Sequence, residues 1–373
     1  MNMNIQTKKI LFCTPFDIST GSGIARWAHH IYEFYTNIES KNISLDIYPM
    51  DRTIYLDETA NFFKRVYLGI MDYSKIVKGI CTKILQEKYD IVHIASSASI
   101  SLVKDLYLLR KLQHYGVHTI IHFHFGRIPE LYASNNWEWK LISKVAELSA
   151  KIIVIDKSSY DSLLNAGIRN VYLLPNPLTP QIEDIVSNNQ PISRKSNSIL
   201  FVGHVYKTKG VYELFEACSQ IPNIHLKIIG KYDDRVKKEL LEISSKNNSD
   251  SRIVFTGNIR FDEVVKEMME CSIFVLPTYT EGFPNVILES MACGCPIITT
   301  NVGAIPEMLD ITNGNENGIC VSPKNVEELK SAILFMLNNN SYAIQCGKNA
   351  QKRVYKMYSI QRIWEEMCCI WQV

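Results

Sequence analysis

No run of apolar residues in this 373-residue chain approaches the ~18 that a membrane-spanning helix needs. A basic start at 1–9 leads into an apolar run at 10–16 that is too short for a signal-peptide core, and no small-residue cleavage site follows. That run therefore reads as a first strand. Ten cysteines are scattered singly, with Cys293/Cys295 and Cys368/Cys369 as the close pairs and no CxxC or Cys/His ligand spacing. This excludes a zinc module and a disulfide framework, and free thiols fit a reducing cytoplasm. A formal net charge of +2 gives no reason to expect nucleic acid as a partner. Internal repeats and low-complexity tracts are also missing.

What is present is the composition of a globular protein, 46% apolar and 21% charged, in a chain too long for one ordinary core. Short β-rich runs alternate with amphipathic helical stretches, which predicts α/β architecture with parallel sheets. Strand runs fall at 9–14, 44–49, 91–95, 118–123, 151–155 and 170–174, then at 198–203, 224–230, 252–256, 273–277, 296–300 and 318–321. Between the two series, Pro175, Pro177, Pro180 and Pro191 and a Ser/Asn-rich tract mark a linker. The expected organisation is two Rossmann-like, doubly wound domains facing across a cleft. They are residues 1–180 and 198–355, joined by a linker at 181–197, with a C-terminal helix at 356–373 packing back on the first.

The most informative segment runs from Pro277 to Pro296. It reads as strand, loop, helix, glycine stop and strand. Pro284 suits a first helical turn, where its missing N–H costs nothing. The free N–H groups of Asn285 and Val286, with the helix dipole, would form an anion site at the carboxyl end of the preceding strand, and a nucleoside diphosphate fits it. Glu281 in the loop and Glu289 one turn into the helix bracket that site. A carboxylate accepts two hydrogen bonds from a vicinal diol, so Glu289 suits a ribose and Glu281 the sugar beyond the phosphates.

With Gly282, Phe283, Pro284, Gly294 and Pro296 in place around this Glu-x7-Glu pattern, the chain resembles the family-4 retaining glycosyltransferases of the B-type fold. The resemblance implies transfer of a hexose from a nucleoside-diphosphate sugar to an acceptor hydroxyl, with retention, and it implies no cofactor or metal. No Asp-x-Asp stands at a strand end to hold a metal. In the family, an Arg and a Lys in a loop after a Gly-ended strand grip the diphosphate. Here the loop reads Gly203-His204-Val-Tyr-Lys207-Thr-Lys209-Gly210. Lys209 holds the lysine position. His204 stands where arginine is expected, and a neutral His donates one hydrogen bond where Arg offers a charged fork, so Lys207 is the other candidate for the second charge.

The first half offers Gly21-Ser-Gly23 after the first strand, a turn that lets the backbone approach a ligand. It is no dinucleotide fingerprint, because Arg26 replaces the third glycine. His122 and His124 share one face of a later strand. His124, nearest the strand end, is the residue the resemblance directs at the transferred sugar, whereas His122 reads as a satisfied core histidine. Arg127 is a candidate for an acidic acceptor or a phosphate, Asn176 for a domain turn, and Gly303 for close backbone approach to the nucleotide.

The stretch 61–88 sets six basic residues against Asp72 and Glu87, interleaved with apolar positions, and reads as a basic amphipathic helix or helix pair suited to an anionic membrane surface. The expected setting is therefore cytoplasmic, at the inner face of the cell membrane. The expected acceptor is a glycan or lipid-linked saccharide in capsule, O-antigen (lipopolysaccharide) or exopolysaccharide assembly. The rival readings are a non-catalytic nucleotide-sugar-binding subunit and a sugar-nucleotide epimerase on the same scaffold.

Overall fold

The computed structural model describes residues 7–20, 22–38, 42–51, 62–188, 193–245, 252–311 and 316–372, with the backbone alone at 62–66. The chain divides into two compact units: 1–175 together with 363–373, and 176–362.

The first unit alternates β1 (Lys8–Thr14), α1 (Gly23–Asn37), β2 (Ile43–Pro49), α2 (Phe62–Glu87), β3 (Ile91–Ser96), α3 (Ile100–Leu112), β4 (His118–Phe123), α4 (Ile128–Ser134), α5 (Trp137–Leu148), β5 (Lys151–Val154), α6 (Lys157–Asn165) and β6 (Val171–Leu173). These strands form a six-stranded sheet in the order β2-β1-β3-β4-β5-β6, and every pairing is parallel. Parallel strands covered on both faces read as unbroken apolar runs, and β3 is buried at every position. Leu11, Ile94, Ile121 and Phe123 point into an aliphatic core with Ile76, Ile80, Leu109 and Ile142 from the helices. Full burial of each such side chain contributes roughly 1.5–3 kcal/mol. The alternate positions Phe12, His93 and His122 instead meet Trp27 of α1, and Trp371 reaches His93. Side-chain caps fix the helix starts: Ser22 accepts from Ala25 N, Asn136 from Trp139 N and Asp156 from Ser159 N.

The second unit contains α7 (Pro180–Asn188), β7 (Ser198–Val202), α8 (Val211–Ser219), β8 (His225–Ile229), α9 (Asp234–Ser245), β9 (Ile253–Gly257), α10 (Phe261–Glu270), β10 (Ile273–Leu276), α11 (Asn285–Ala292), β11 (Ile297–Thr300), α12 (Ile305–Met308), β12 (Ile319–Val321), α13 (Val326–Asn338) and α14 (Asn340–Tyr358). Its sheet order is β12-β11-β10-β7-β8-β9, again all parallel. The last helix, α15 (Ile360–Trp371), belongs to the first unit from Ile363 onward.

The segment expected as a linker at 181–197 differs in part from that expectation. Pro180 opens α7, where a proline at the first helical position loses no hydrogen bond, and α7 packs on α10 and α11. Beyond it, Arg194 donates to the carbonyls of Met268, Cys271, Cys293 and Gly294, tying that strand approach to the ends of α10 and α11. The two units meet in sequence at Pro175/Asn176, and the first unit regains the chain at Ile363.

Each sheet reverses its winding once, between β1 and β3 in the first unit and between β7 and β10 in the second. In open α/β sheets, the crevice outside the strand carboxyl ends at that reversal is where ligands bind.

Candidate functional site

At the reversal in the second unit, the loops after β7 and β10 lock together through their backbones. Tyr279 N donates to Thr208 O at 2.8 Å, and Thr278 Oγ1 donates to the same carbonyl at 3.2 Å. Gly210, at φ +70°, lies so close that a Cβ there would collide with Pro277 O, so only glycine permits this approach. The consequence is placement of charge: the Lys209 ammonium pairs with the Glu281 carboxylate, both partly buried. A third loop closes the arrangement from β11. Ala304 N donates to Gly282 O at 3.0 Å, and a Cβ on Gly303 (φ +55°) would collide with Glu281 O. Thr300 Oγ1 donates to Thr278 O at 2.5 Å, so β11 fixes the β10 loop from beneath.

Helix α11 begins next to this ion pair. Pro284 is its N-cap (φ −75°, ψ 113°), one position earlier than the first helical turn expected for it, and Asn285 and Val286 supply the first N–H groups. Phe283 is buried edge-on against Tyr358, with ring centroids 5.6 Å apart, so what it offers the site is its backbone. The Asn176 amide donates to Phe283 O at 3.4 Å and to Asn285 Oδ1 at 3.2 Å, holding the start of the helix. Glu289 lies half-buried four residues after Asn285, hence on the same helix face. His204 and Lys207 are exposed: the His204 ring stacks on Tyr206 at 5.6 Å and the Lys207 ammonium sits 6.0 Å from the Tyr212 ring centre. Of the three expected phosphate ligands, Lys209 is therefore the one whose charge the surrounding backbone fixes.

In the first unit, Gly21 lies outside the described residues, and Gly23 is the first residue of α1 with open space where a Cβ would stand. His124 follows β4 and donates its N–H to Ser96 O at 2.9 Å. Its ring stacks on His122 at 4.0 Å and tilts against Trp27 at 4.4 Å. Burial, reinforced by His93, pushes the His124 pKa down to about 3, so the ring is neutral. Its Nε2 is buried and has no hydrogen-bond partner. His122 is buried as expected, but the expectation of a satisfied side chain fails, because neither of its ring nitrogens has a partner. Arg127 is engaged with Glu138 at 3.2 Å.

Sequence reasoning missed His93. Its Nδ1 accepts from Trp371 Nε1 at 3.2 Å, which leaves the ring proton on Nε2, and burial lowers its pKa to about 3. Nothing local signals a contact spanning 278 residues. Asn176 was visible as part of Pro-Asn-Pro, but its amide contacts were not. Among the described residues, no three His, Cys, Asp or Glu side chains are grouped as a metal ion would need.

Residues 183–353 match the family model for Glycosyl transferases group 1. An uncharacterized glycosyltransferase of Methanocaldococcus jannaschii is 35% identical over 175 residues, covering 45% of this chain and 48% of that protein. The capsular polysaccharide biosynthesis glycosyltransferase CapM of Staphylococcus aureus is 29% identical over 202 residues, covering 50% of each. The chain thus spans about half the length of these two curated relatives. Anabaena HepE, solved in complex with UDP, superimposes with a TM-score of 0.70 at 16% identity, over 98% of this chain and 100% of that one. The fold is the two-domain, parallel-sheet B-type glycosyltransferase fold. The stretch that matches the glycosyl transferases group 1 model, 183–353, includes the Lys209–Glu281 ion pair and the α11 N-terminus.

Proposed function

We propose that this chain transfers a hexose from a nucleoside-diphosphate sugar to an acceptor hydroxyl with retention at the anomeric carbon. The observation that carries the reading is the Lys209–Glu281 pair held beside the α11 N-terminus at the reversal of the second sheet. A diphosphate arriving there competes with Glu281 for the Lys209 ammonium. The carboxylate released from that pair is then free to accept hydrogen bonds from the transferred sugar, and Glu289 accepts them from the ribose. The α11 N–H groups and Lys209 stabilise charge growing on the leaving phosphate as the bond to the anomeric carbon breaks. In a front-face route, the acceptor oxygen bonds to that carbon and its proton passes to the leaving phosphate. His124, neutral and with an unpartnered Nε2, suits a contact to a sugar hydroxyl. Lys209 and the helix terminus supply the positive charge a metal would otherwise bring, so the reaction needs none.

Thermal shift of the purified protein against nucleoside diphosphates and their sugars, with and without EDTA, tests the reading. Ligands that bind the folded state stabilise it by mass action, by ~2.7 kcal/mol at a hundredfold excess over Kd, and so raise the midpoint. One diphosphate series should stabilise the protein, EDTA should change nothing, and Glu289→Ala should abolish the effect. No stabilisation by any member would favour the non-catalytic reading.

We assign the acceptor to surface-polysaccharide assembly at the inner face of a cell membrane. CapM, a relative, is named for capsular polysaccharide biosynthesis. No described helix is long and apolar enough to cross a membrane. Two neighbouring helices of the first unit do expose apolar side chains, Tyr67 and Ile70 on α2 and Ile100 and Val103 on α3, alongside exposed Lys75 and Lys78. Such a surface suits peripheral contact with anionic lipid. In sedimentation assays, vesicles containing anionic lipid should carry the protein down and neutral vesicles should not; equal binding to both would sink the electrostatic version.

A further inference from the structure

Lys209 carries its charge on a flexible four-carbon stem at the end of a single turn, Lys207–Lys209. Restraint on that turn comes from outside it, and Tyr279 supplies two of the contacts. The Tyr279 backbone N–H donates to Thr208 O at 2.8 Å, one residue before Lys209. The Tyr279 phenol donates to Glu213 Oε1 at 2.6 Å, four residues after Lys209. Glu281, which pairs with Lys209, follows Tyr279 by two residues. Tyr279 therefore holds the chain on both sides of one member of the ion pair and is nearly continuous with the other.

The Glu213 end of this bridge is unusual. Glu213 lies in the first turn of α8, where the helix dipole favours a carboxylate. Its Oε2 is nevertheless buried without a hydrogen-bond partner, so the bond from the phenol to Oε1 matters the more. Burial, with the bond to Glu213 behind it, raises the Tyr279 pKa, and the phenol remains a donor. A third element reaches the same ring. The Lys324 ammonium, from the loop between β12 and α13, lies 4.9 Å from its centre. Lys324 takes a left-handed φ of +63°, which a lysine rarely adopts. A tyrosine that merely filled space would need neither the half-satisfied carboxylate nor the left-handed lysine.

We propose that Tyr279 is a positioning residue: its bridge from Thr208 to Glu213 fixes the Lys209 ammonium, and through it Glu281, where a diphosphate is gripped. That the restraint serves a diphosphate rests on the transferase reading, but that Tyr279 restrains Lys209 does not. The phenol acts through Lys209 and not on the ligand, so its loss has no further consequence once Lys209 is gone.

Competitive labelling of the ligand-free full chain with acetic anhydride, read by peptide mass spectrometry, tests the restraint directly. Tyr279→Phe, which removes the hydroxyl and keeps the ring, should label Lys209 about fivefold faster, within the worth of one hydrogen bond to a charged group. Lys157 in the first unit should keep its rate. Glu213→Leu should act as Tyr279→Phe does, and Glu213→Gln, whose amide oxygen still accepts from the phenol, should act more weakly. Calorimetric titration with UDP, GDP and ADP reads the consequence. The diphosphate that binds the wild type should bind Tyr279→Phe about tenfold more weakly, yet bind Lys209→Met and Lys209→Met/Tyr279→Phe alike. Unchanged Lys209 labelling in Tyr279→Phe and Glu213→Leu, both native by circular dichroism, would overturn the proposal. So would a loss of affinity that persists in the Lys209→Met background, since a merely structural tyrosine would act in both. Faster labelling of Lys209 alongside failure of every diphosphate to bind would sink the transferase reading alone.

Discussion

Lowering the pH from 7 to about 4.5 should destabilise the first unit by several kcal/mol. His93, His122 and His124 are buried together, and their pKa values are depressed, to about 3 for His93 and His124 and well below the usual value for His122. In the unfolded chain each takes a proton below ~6.5, whereas in the folded unit each stays neutral down to the depressed value. The unfolded state then binds more protons, so stability is full above ~6.5 and falls as the pH drops below it.

Asp105 works in the opposite sense. Burial raises its pKa to about 7, so the folded state holds a proton there from that pH down, while the unfolded carboxyl waits until ~3.9. His93, His122 and His124 less Asp105 leave a net two protons, or about 2.7 kcal/mol per pH unit and about 5 kcal/mol across two units, and His30, lowered to about 4 by burial, Arg26 and His29, adds to the loss in the same sense. Against a total of ~5–15 kcal/mol for a domain, that is decisive. All five tryptophans, Trp27, Trp137, Trp139, Trp364 and Trp371, lie in the first unit, so denaturant titrations followed by tryptophan fluorescence report it selectively. Midpoints falling from pH 6.5 to 4.5, with a shallower fall in His122→Phe, are the expected outcome. A midpoint independent of pH over that range would show that the histidines are not held neutral.

Replacing Lys209 by Met should lower kcat by ~10²–10³, the cost of removing one preorganised group aimed at developing charge. The same change strips Glu281 of its partner, so the two residues act as a unit. Glu281→Gln should also be severely impaired, and the double variant should be little worse than the poorer single one. On the proposed assignment of Glu289, and not Lys209, to the ribose, binding of the nucleoside without its phosphates should be unaltered in Lys209→Met. Additive losses in the double variant would show that the pair seen between β7 and β10 has no functional meaning.

Much of this was legible in the sequence because the determinants are local. The strand runs lie within one or two residues of the observed strands, since period and apolar content set them. Gly203, Gly210, Gly294 and Gly303 all take positive φ, and two of them stand where loops cross closely, so the glycines marked the loops that pack together at the second sheet's reversal. What was illegible depends on tertiary contact. The Trp371–His93 hydrogen bond spans 278 residues, and the Asn176 amide acts on a helix start 109 residues later. Arg194 sits in a polar stretch that reads as linker until four carbonyls converge on it. Composition also misled in one place: Pro180, taken as linker punctuation, is a helix start.

The central claim is that this chain turns over a nucleoside-diphosphate sugar, and release of the nucleoside diphosphate tests it most directly. The purified protein would be incubated with UDP-, GDP- and ADP-hexoses in EDTA, with water and, separately, a methyl glycoside as acceptors. The account predicts release from one nucleotide series, faster with the glycoside than with water and reduced ~10²–10³-fold in Lys209→Met. No release from any donor, or release that EDTA abolishes, would contradict it.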